Sequence, residues 1–116
     1  MKNCVFCQIA KRESEAEIVY EDDVVVAFND QHPIAPVHVL IVPREHIPSV
    51  DDLEPRHKEL AGQMIMVAQK VARKLKISND GYKLLLRVKN HGGQEVDHIH
   101  LHLLGGAPLS EDIKPI

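Results

Sequence analysis

This chain has no run of basic residues. Across 116 residues, 14 Lys and Arg stand against 17 Asp and Glu, for a formal net charge of −3. A nucleic-acid backbone is therefore disfavoured as the main partner, and only a local basic pocket stays open. No apolar run approaches the roughly 20 residues a membrane-spanning helix needs, so no membrane partner is expected. The opening residues Met1-Lys2-Asn3-Cys4 lack the apolar core of a secretory signal, and a cytoplasmic location is expected. Repeats, low-complexity stretches and linkers are absent, and the length fits one domain over 1–116. Cysteine is scarce, and both copies lie in Cys4-Val5-Phe6-Cys7. In a reducing compartment that spacing reads as a metal pair or a redox motif ahead of a structural disulfide. A thioredoxin-like redox role lacks the βαβ surroundings it needs.

What is present is ordinary in bulk and unusual in one residue type. Hydrophobic content is 44% and charged content 27%, typical of globular chains. A chain this long buries well over half of its unfolded surface and needs no covalent staple. Histidine, however, occurs eight times. Residue patterning predicts a short helix over 4–12 and a hairpin of 18–20 with 24–28 around Glu21-Asp22-Asp23. A loop marked by Pro33 and Pro36 follows, then a strand over 37–42 closed by Pro43. One long helix is expected from about Glu54 to Lys76, with Asp52 as its N-cap and Pro55 in its first turn. Leu60, Met64, Ala68, Val71 and Leu75 share a face of it, and this stripe, together with Met66, reads as core. An Asn79-Asp80-Gly81 turn, a strand over 82–88, the Asn90-His91-Gly92-Gly93 turn and a strand over 96–104 complete the chain. The sum is an α+β domain: an antiparallel sheet, one long helix and a short N-terminal helix. His32, His57 and His91 are expected at the surface.

The last strand reads His98-Ile99-His100-Leu101-His102-Leu103-Leu104. On a strand the three imidazoles share one face, with neighbouring rings starting about 6.6 Å apart and the outer two about 13 Å apart. Three rings so spread cannot easily meet at one ion, so divided roles are expected. A neutral imidazole is a capable nucleophile near pH 7 and a good leaving group, and it can form a phospho-imidazole that water cleaves. A second imidazole can hold a phosphate oxygen or pass a proton. Backbone N–H groups of Gly92-Gly93-Gln94-Glu95-Val96 could cradle an anion. A His-x-His zinc site with a distant third ligand explains the same pattern, so phosphate chemistry and metal binding both stay open on residue spacing alone.

The run His-φ-His-φ-His-φ-φ, with φ apolar, resembles the signature of the histidine triad (HIT) superfamily of nucleotide hydrolases and transferases. The string HGGQEVDHIHLHLLGG is similar to the Hint branch, the purine nucleoside phosphoramidases. Tyr20-Glu21-Asp22-Asp23, Ala27-Phe28-Asn29-Asp30, the Ala35–Pro43 segment and Asp80-Gly81-Tyr82 extend the likeness from about Cys4 to Gly106. The resemblance implies a single HIT domain that forms a two-fold homodimer by pairing long helices and extending the sheet. It implies hydrolysis of nucleoside 5′-phosphoramidates through a covalent nucleotidyl-histidine. Related chemistries are cleavage of dinucleoside polyphosphates or of adenylyl sulfate. A non-catalytic purine-nucleotide-binding module and a zinc-dependent hydrolase are the readings of other classes.

Carried onto matching positions, the resemblance makes His100 the nucleophile. His102 becomes the phosphate contact that assists the leaving group, with His38 beside them. It makes Asp30 the ribose ligand, with Gln31 next to it where an aliphatic residue is frequent. Val5, Phe6, Ile9, Phe28 and Leu40 become the slot for an AMP or GMP base, though Phe28 and Leu40 read equally well as core. Gly93, Gln94, Glu95 and Val96 are placed around the phosphate. Arg87 stands where relatives commonly carry Asn, and is expected to face Glu95 at the mouth of the phosphate site; an inconsequential surface pair is the alternative. Asp97 stands where an aromatic is frequent, and is expected to face away from the histidines. Some bacterial relatives hold zinc with a Cys-x-x-Cys pair, the His of a Pro-x-x-His segment and the first triad histidine. Here those are Cys4, Cys7, His46 and His98, which implies a closed structural Zn²⁺ site. No organic cofactor is implied.

Overall fold

The computed structural model describes residues 3–116. Five strands form one antiparallel sheet in the order β1-β2-β3-β5-β4. They are β1 (Ile18–Glu21), β2 (Val25–Asn29), β3 (Val37–Pro43), β4 (Tyr82–Leu86) and β5 (Leu101–Gly105), with helices α1 (Val5–Ala10) and α2 (Lys58–Lys74). The α+β reading holds. Among the described residues no helix is long and apolar enough to cross a membrane.

Strand alternation sends successive side chains to opposite faces, and in β2 and β3 both sets are apolar because both faces are covered. Val25, Ala27, Val39, Ile41, Leu101 and Leu103 pack against Met64, Val67, Ala68 and Val71 of α2. Val26, Phe28, Leu40 and Val42 pack against Phe6, Ile9 and Ala10 of α1. Register decides where the polar residues go. Leu40 pairs with His102, and His38 pairs with Leu104. The two histidines therefore lie on the α1 face, away from the long helix.

Several boundaries differ from the sequence reading. The histidine strand starts at Leu101, not at Val96, so His98 and His100 precede it. In the β3–β5 register Leu101 faces Ile41. Two residues further, Ile99 would meet Pro43, which has no N–H for the ladder. Ile99 N–H donates instead to the Ile47 carbonyl (2.7 Å), and the segment leaves the sheet. Strand β4 ends at Leu86, short of Val88. The long helix runs only over 58–74, preceded by two 3₁₀ turns, Val50–Asp52 and Pro55–His57. Asp52 does not cap it: Ser49 caps the first turn, and Glu54 with His57 closes a capping box on the second. His57, expected at the surface, is buried; its Nδ1 accepts from Glu54 N–H (2.9 Å) and its Nε2 meets Glu45 (3.1 Å). Met64 is core, but Met66, two residues on and so on the opposite side of the helix, is 48% exposed.

Candidate active site

Helix α1 is too short to persist alone. It is held by burial of Phe6, Ile9 and Ala10 and capped by Cys4, whose Sγ accepts from Cys7 N–H. Docked on the sheet, it lays the Phe6 ring against Phe28 (5.4 Å between centroids) and edge-on to His100 (5.0 Å). The space between α1, the sheet and the glycine turn is a cleft of about 570 Å³. Val5, Phe6, Ile9, Phe28, Asp30, Gln31, Leu40, Arg87, Gly93, Glu95, Val96, His38, His100 and His102 all line it. Phe28 and Leu40 are thus both core and cleft wall.

His38, His100 and His102 each have a tautomer set by a neighbour. The carbonyl of His98 lies 2.8 Å from His100 Nδ1; a carbonyl only accepts, so Nδ1 carries the hydrogen and Nε2 keeps its lone pair. His38 Nδ1 accepts from Ile34 N–H (3.2 Å), so His38 Nε2 is the donor. That N–H lies 3.0 Å from His102 Nδ1 and 3.4 Å from Asp30 Oδ2. His102 Nδ1 therefore accepts, and its Nε2–H is the hydrogen left to act. Burial, with smaller contributions from His100, Arg87 and His38, brings His102 down to about 4. Burial likewise lowers His100 and His38, with Arg87 adding to both. The cleft thus holds neutral imidazoles at pH 7: a lone pair on His100 and an N–H on His102, with ring centroids 4.9 Å apart.

The glycine turn is set by crowding. A Cβ on Gly92 would lie 2.5 Å from the Val88 carbonyl oxygen, and Gly93 has φ +79°. Gly93 N–H and Gln94 N–H close the turn on Asn90 and Lys89 carbonyls, so neither is free to cradle an anion. Gln94 is the expected site residue that does not line the cleft. Its side chain donates to the Pro48 (2.6 Å) and Val96 (2.9 Å) carbonyls and accepts from Lys89 N–H (2.8 Å). It braces the turn. Arg87 and Glu95 share the wall, but no ion pair joins them; Arg87 Nη1 lies 3.4 Å from His102 Nε2 instead. Ala16, Asn29, His32 and Ile34 also line the cleft and were not anticipated. An apolar Ile34 between two prolines was the available signal for one of them. His91 and Asp97 are exposed.

Cys4, Cys7, His46 and His98 form a separate cluster whose ligand atoms lie within 4.8 Å of one another. His98 is fully buried, and its Nε2–H donates to the Pro43 carbonyl (2.8 Å). Its bare Nδ1 faces Cys4 Sγ (3.2 Å) and Cys7 Sγ (3.5 Å), while His46 Nδ1 is 3.4 Å from Cys7 Sγ. A tetrahedral Zn²⁺ with bonds of about 2.3 Å to sulfur and 2.0 Å to nitrogen sets its ligands roughly 3.5 Å apart, so the donors fit. Of the three histidines, His98 turns to the cysteines, and His100 and His102 to the cleft.

Residues 11–109 match the HIT domain family. The chain belongs to the HIT family. Purine nucleoside phosphoramidase of Escherichia coli K12 is 50% identical to it over 105 residues, 90% of this chain and 88% of that one. A HIT family hydrolase from Legionella pneumophila superposes with a TM-score of 0.92 at 44% identity, covering 94% of this chain and 97% of that one. A HIT family hydrolase from Clostridium thermocellum gives 0.94 at 43% identity, with 98% and 99% covered. The Cys-x-x-Cys pair of this HIT protein lies ahead of the matched family segment.

Proposed function

We propose that this HIT protein hydrolyses nucleoside 5′-phosphoramidates through a nucleotidyl-His100 intermediate. The observation that carries the reading is the His98 carbonyl on His100 Nδ1, which turns a lone pair on Nε2 into the cleft. The base enters the apolar slot of Phe6, Ile9, Phe28 and Leu40, and Asp30 receives the ribose hydroxyls. His100 Nε2 attacks the α-phosphorus and the P–N bond breaks. The His38–His102 pair takes a proton from solvent, and His102 Nε2 passes it to the leaving nitrogen. Water then cleaves the N–P bond, releasing the nucleoside monophosphate and restoring His100. Steady-state hydrolysis of adenosine and guanosine phosphoramidates tests this. His100→Ala should lower kcat by about 10⁴-fold or more, and intact-mass analysis of rapidly quenched native protein should show a nucleotidyl adduct. Native protein that binds purine nucleotides yet turns over no nucleotidyl substrate would make it a binding module.

The Cys4, Cys7, His46 and His98 cluster is read as a structural Zn²⁺ site. Four protein ligands leave no open position, so the ion supplies no reaction chemistry and ties α1 to the sheet. The His98 Nε2 bond to Pro43 is the kind of support that orients a metal-bound imidazole. A homodimer belongs to the same reading. Ile65 and Met66 on α2 and Leu84 and Leu86 on edge strand β4 are all more than one-third exposed, which leaves apolar surface and the outer edge of β4 for a second copy. The cytoplasm, where thiols stay reduced, suits the cysteine pair.

A further inference from the structure

Among the described residues, Arg87 is the one Lys or Arg in the cleft wall. It continues the β4 face of Leu85, which pairs with His102, and its stem lies along the Gly93 turn. No carboxylate of the described residues pairs with it. Asp30 is engaged 3.4 Å from His38. Arg87 Nη1 and His102 Nε2 are 3.4 Å apart, and both bear hydrogens, because His102 Nδ1 is occupied by His38. Two donors thus converge at one end of the cleft. An in-line displacement places the leaving atom opposite the attacking nitrogen, His100 Nε2. An atom that leaves against His102 Nε2–H is within reach of the Arg87 guanidinium as well.

We propose that Arg87 biases the site toward leaving groups that depart as oxyanions, as in mixed anhydrides of a nucleoside monophosphate with sulfate or phosphate, over those that depart as amines. This rests on the reading of His100 as nucleophile. In an anhydride, the His100 Nε2 pair forms the N–P bond and the P–O bridge breaks. The bridging oxygen takes the electrons and leaves as sulfate or phosphate without needing a proton. The Arg87 guanidinium stabilises the charge that grows there. An amine departs only with a proton, so the His38–His102 pair must first acquire one. A cation 3.4 Å away opposes that charged form.

The test compares kcat/KM for adenosine 5′-phosphosulfate and adenosine 5′-phosphoramidate in native protein, Arg87→Gln, Arg87→Lys and His100→Ala. The sulfate-to-amine ratio should fall about tenfold or more in Arg87→Gln and stay nearer the native value in Arg87→Lys. A ratio that rises, or falls by less than about threefold, overturns the proposal, since a mere contact to the α-phosphate slows both substrates alike. That result, with His100→Ala inactive on both, leaves the nucleophile reading intact. Native protein inactive on both substrates overturns the two together.

Discussion

At the residue scale the site is an arrangement of three neutral rings whose hydrogens are assigned by fixed partners. Backbone atoms do most of this: Ile34 N–H sets His38, and the His98 carbonyl sets His100. Neutrality has a consequence for stability. His102 has its folded pKa brought down to about 4 from 6.5, by burial first and then by His100 and Arg87. The unfolded chain therefore takes up the proton first as pH falls. Its contribution to stability is complete above pH 6.5 and is lost between there and about pH 4. Asp22 extends the loss to lower pH. Burial opposes its ionisation, but Val24 and Val25 N–H, the Tyr20 hydroxyl and the Gln63 amide outweigh burial and hold it at about 2, below the usual 3.8. Its contribution is complete above pH 3.8 and lost as pH falls toward 2. Urea midpoints measured between pH 7 and pH 2.5 should decline in two stages. His102→Asn should flatten the upper stage, and Asp22→Asn the lower; because Asp22 is only partly buried, its loss is expected to cost about 1 kcal/mol.

At the scale of elements, two short interruptions place the chemistry. Pro43 ends the β3–β5 ladder, so the chain carrying His98 and His100 departs from strand geometry, and the spacing expected of three rings on one strand no longer applies. The freed Pro43 carbonyl then accepts from His98. The second interruption is the glycine turn, braced by Gln94. Gly92→Ala would drive a Cβ to 2.5 Å from backbone oxygen. It should destabilise the protein by about 1–3 kcal/mol and weaken nucleoside monophosphate binding, because Gly93, Glu95 and Arg87 move with the turn. Thermal melts and calorimetric titration with AMP check both effects.

At the scale of the whole molecule, one sheet covered on both faces separates stability from chemistry. The α2 face is the larger apolar core, while the α1 face holds the cleft and the cysteine–histidine cluster. Because α1 carries both Cys7 and the Phe6 that touches His100, metal and cleft are linked through one short helix. Purified protein should contain about one zinc per chain, and removal by a strong chelator should lower Tm and weaken nucleotide binding together. Retention of both, or absence of zinc, would remove the metal from the fold. Sedimentation equilibrium should give twice the chain mass, and Met66→Glu should shift it toward the monomer.

Much of this protein was settled locally. Alternation of apolar residues foretold the strands and their order along the chain. The helical stripe from Leu60 to Leu75 foretold α2, and the HIT run together with Cys4, Cys7 and His46 pointed to the residues that meet. The elements are properties of near neighbours, which sequence records directly, and the set of residues that meet was implied by the resemblance to the HIT family. What the tertiary structure alone decided are relations between groups distant in the chain. The His98 ring meets the carbonyl of Pro43, 55 positions earlier, beyond the point where the β3–β5 ladder stops. His57 is buried because Glu45 and Glu54 reach it, and Met66 is exposed because Val67 and Ala68 take the turn of α2 that meets the sheet. Arg87 comes to lie 3.4 Å from His102 rather than paired with Glu95, and chain spacing records neither relation. Hydrogen-bond partners and burial depend on packing in three dimensions, so residue type can name the participants in the site but not how each is oriented.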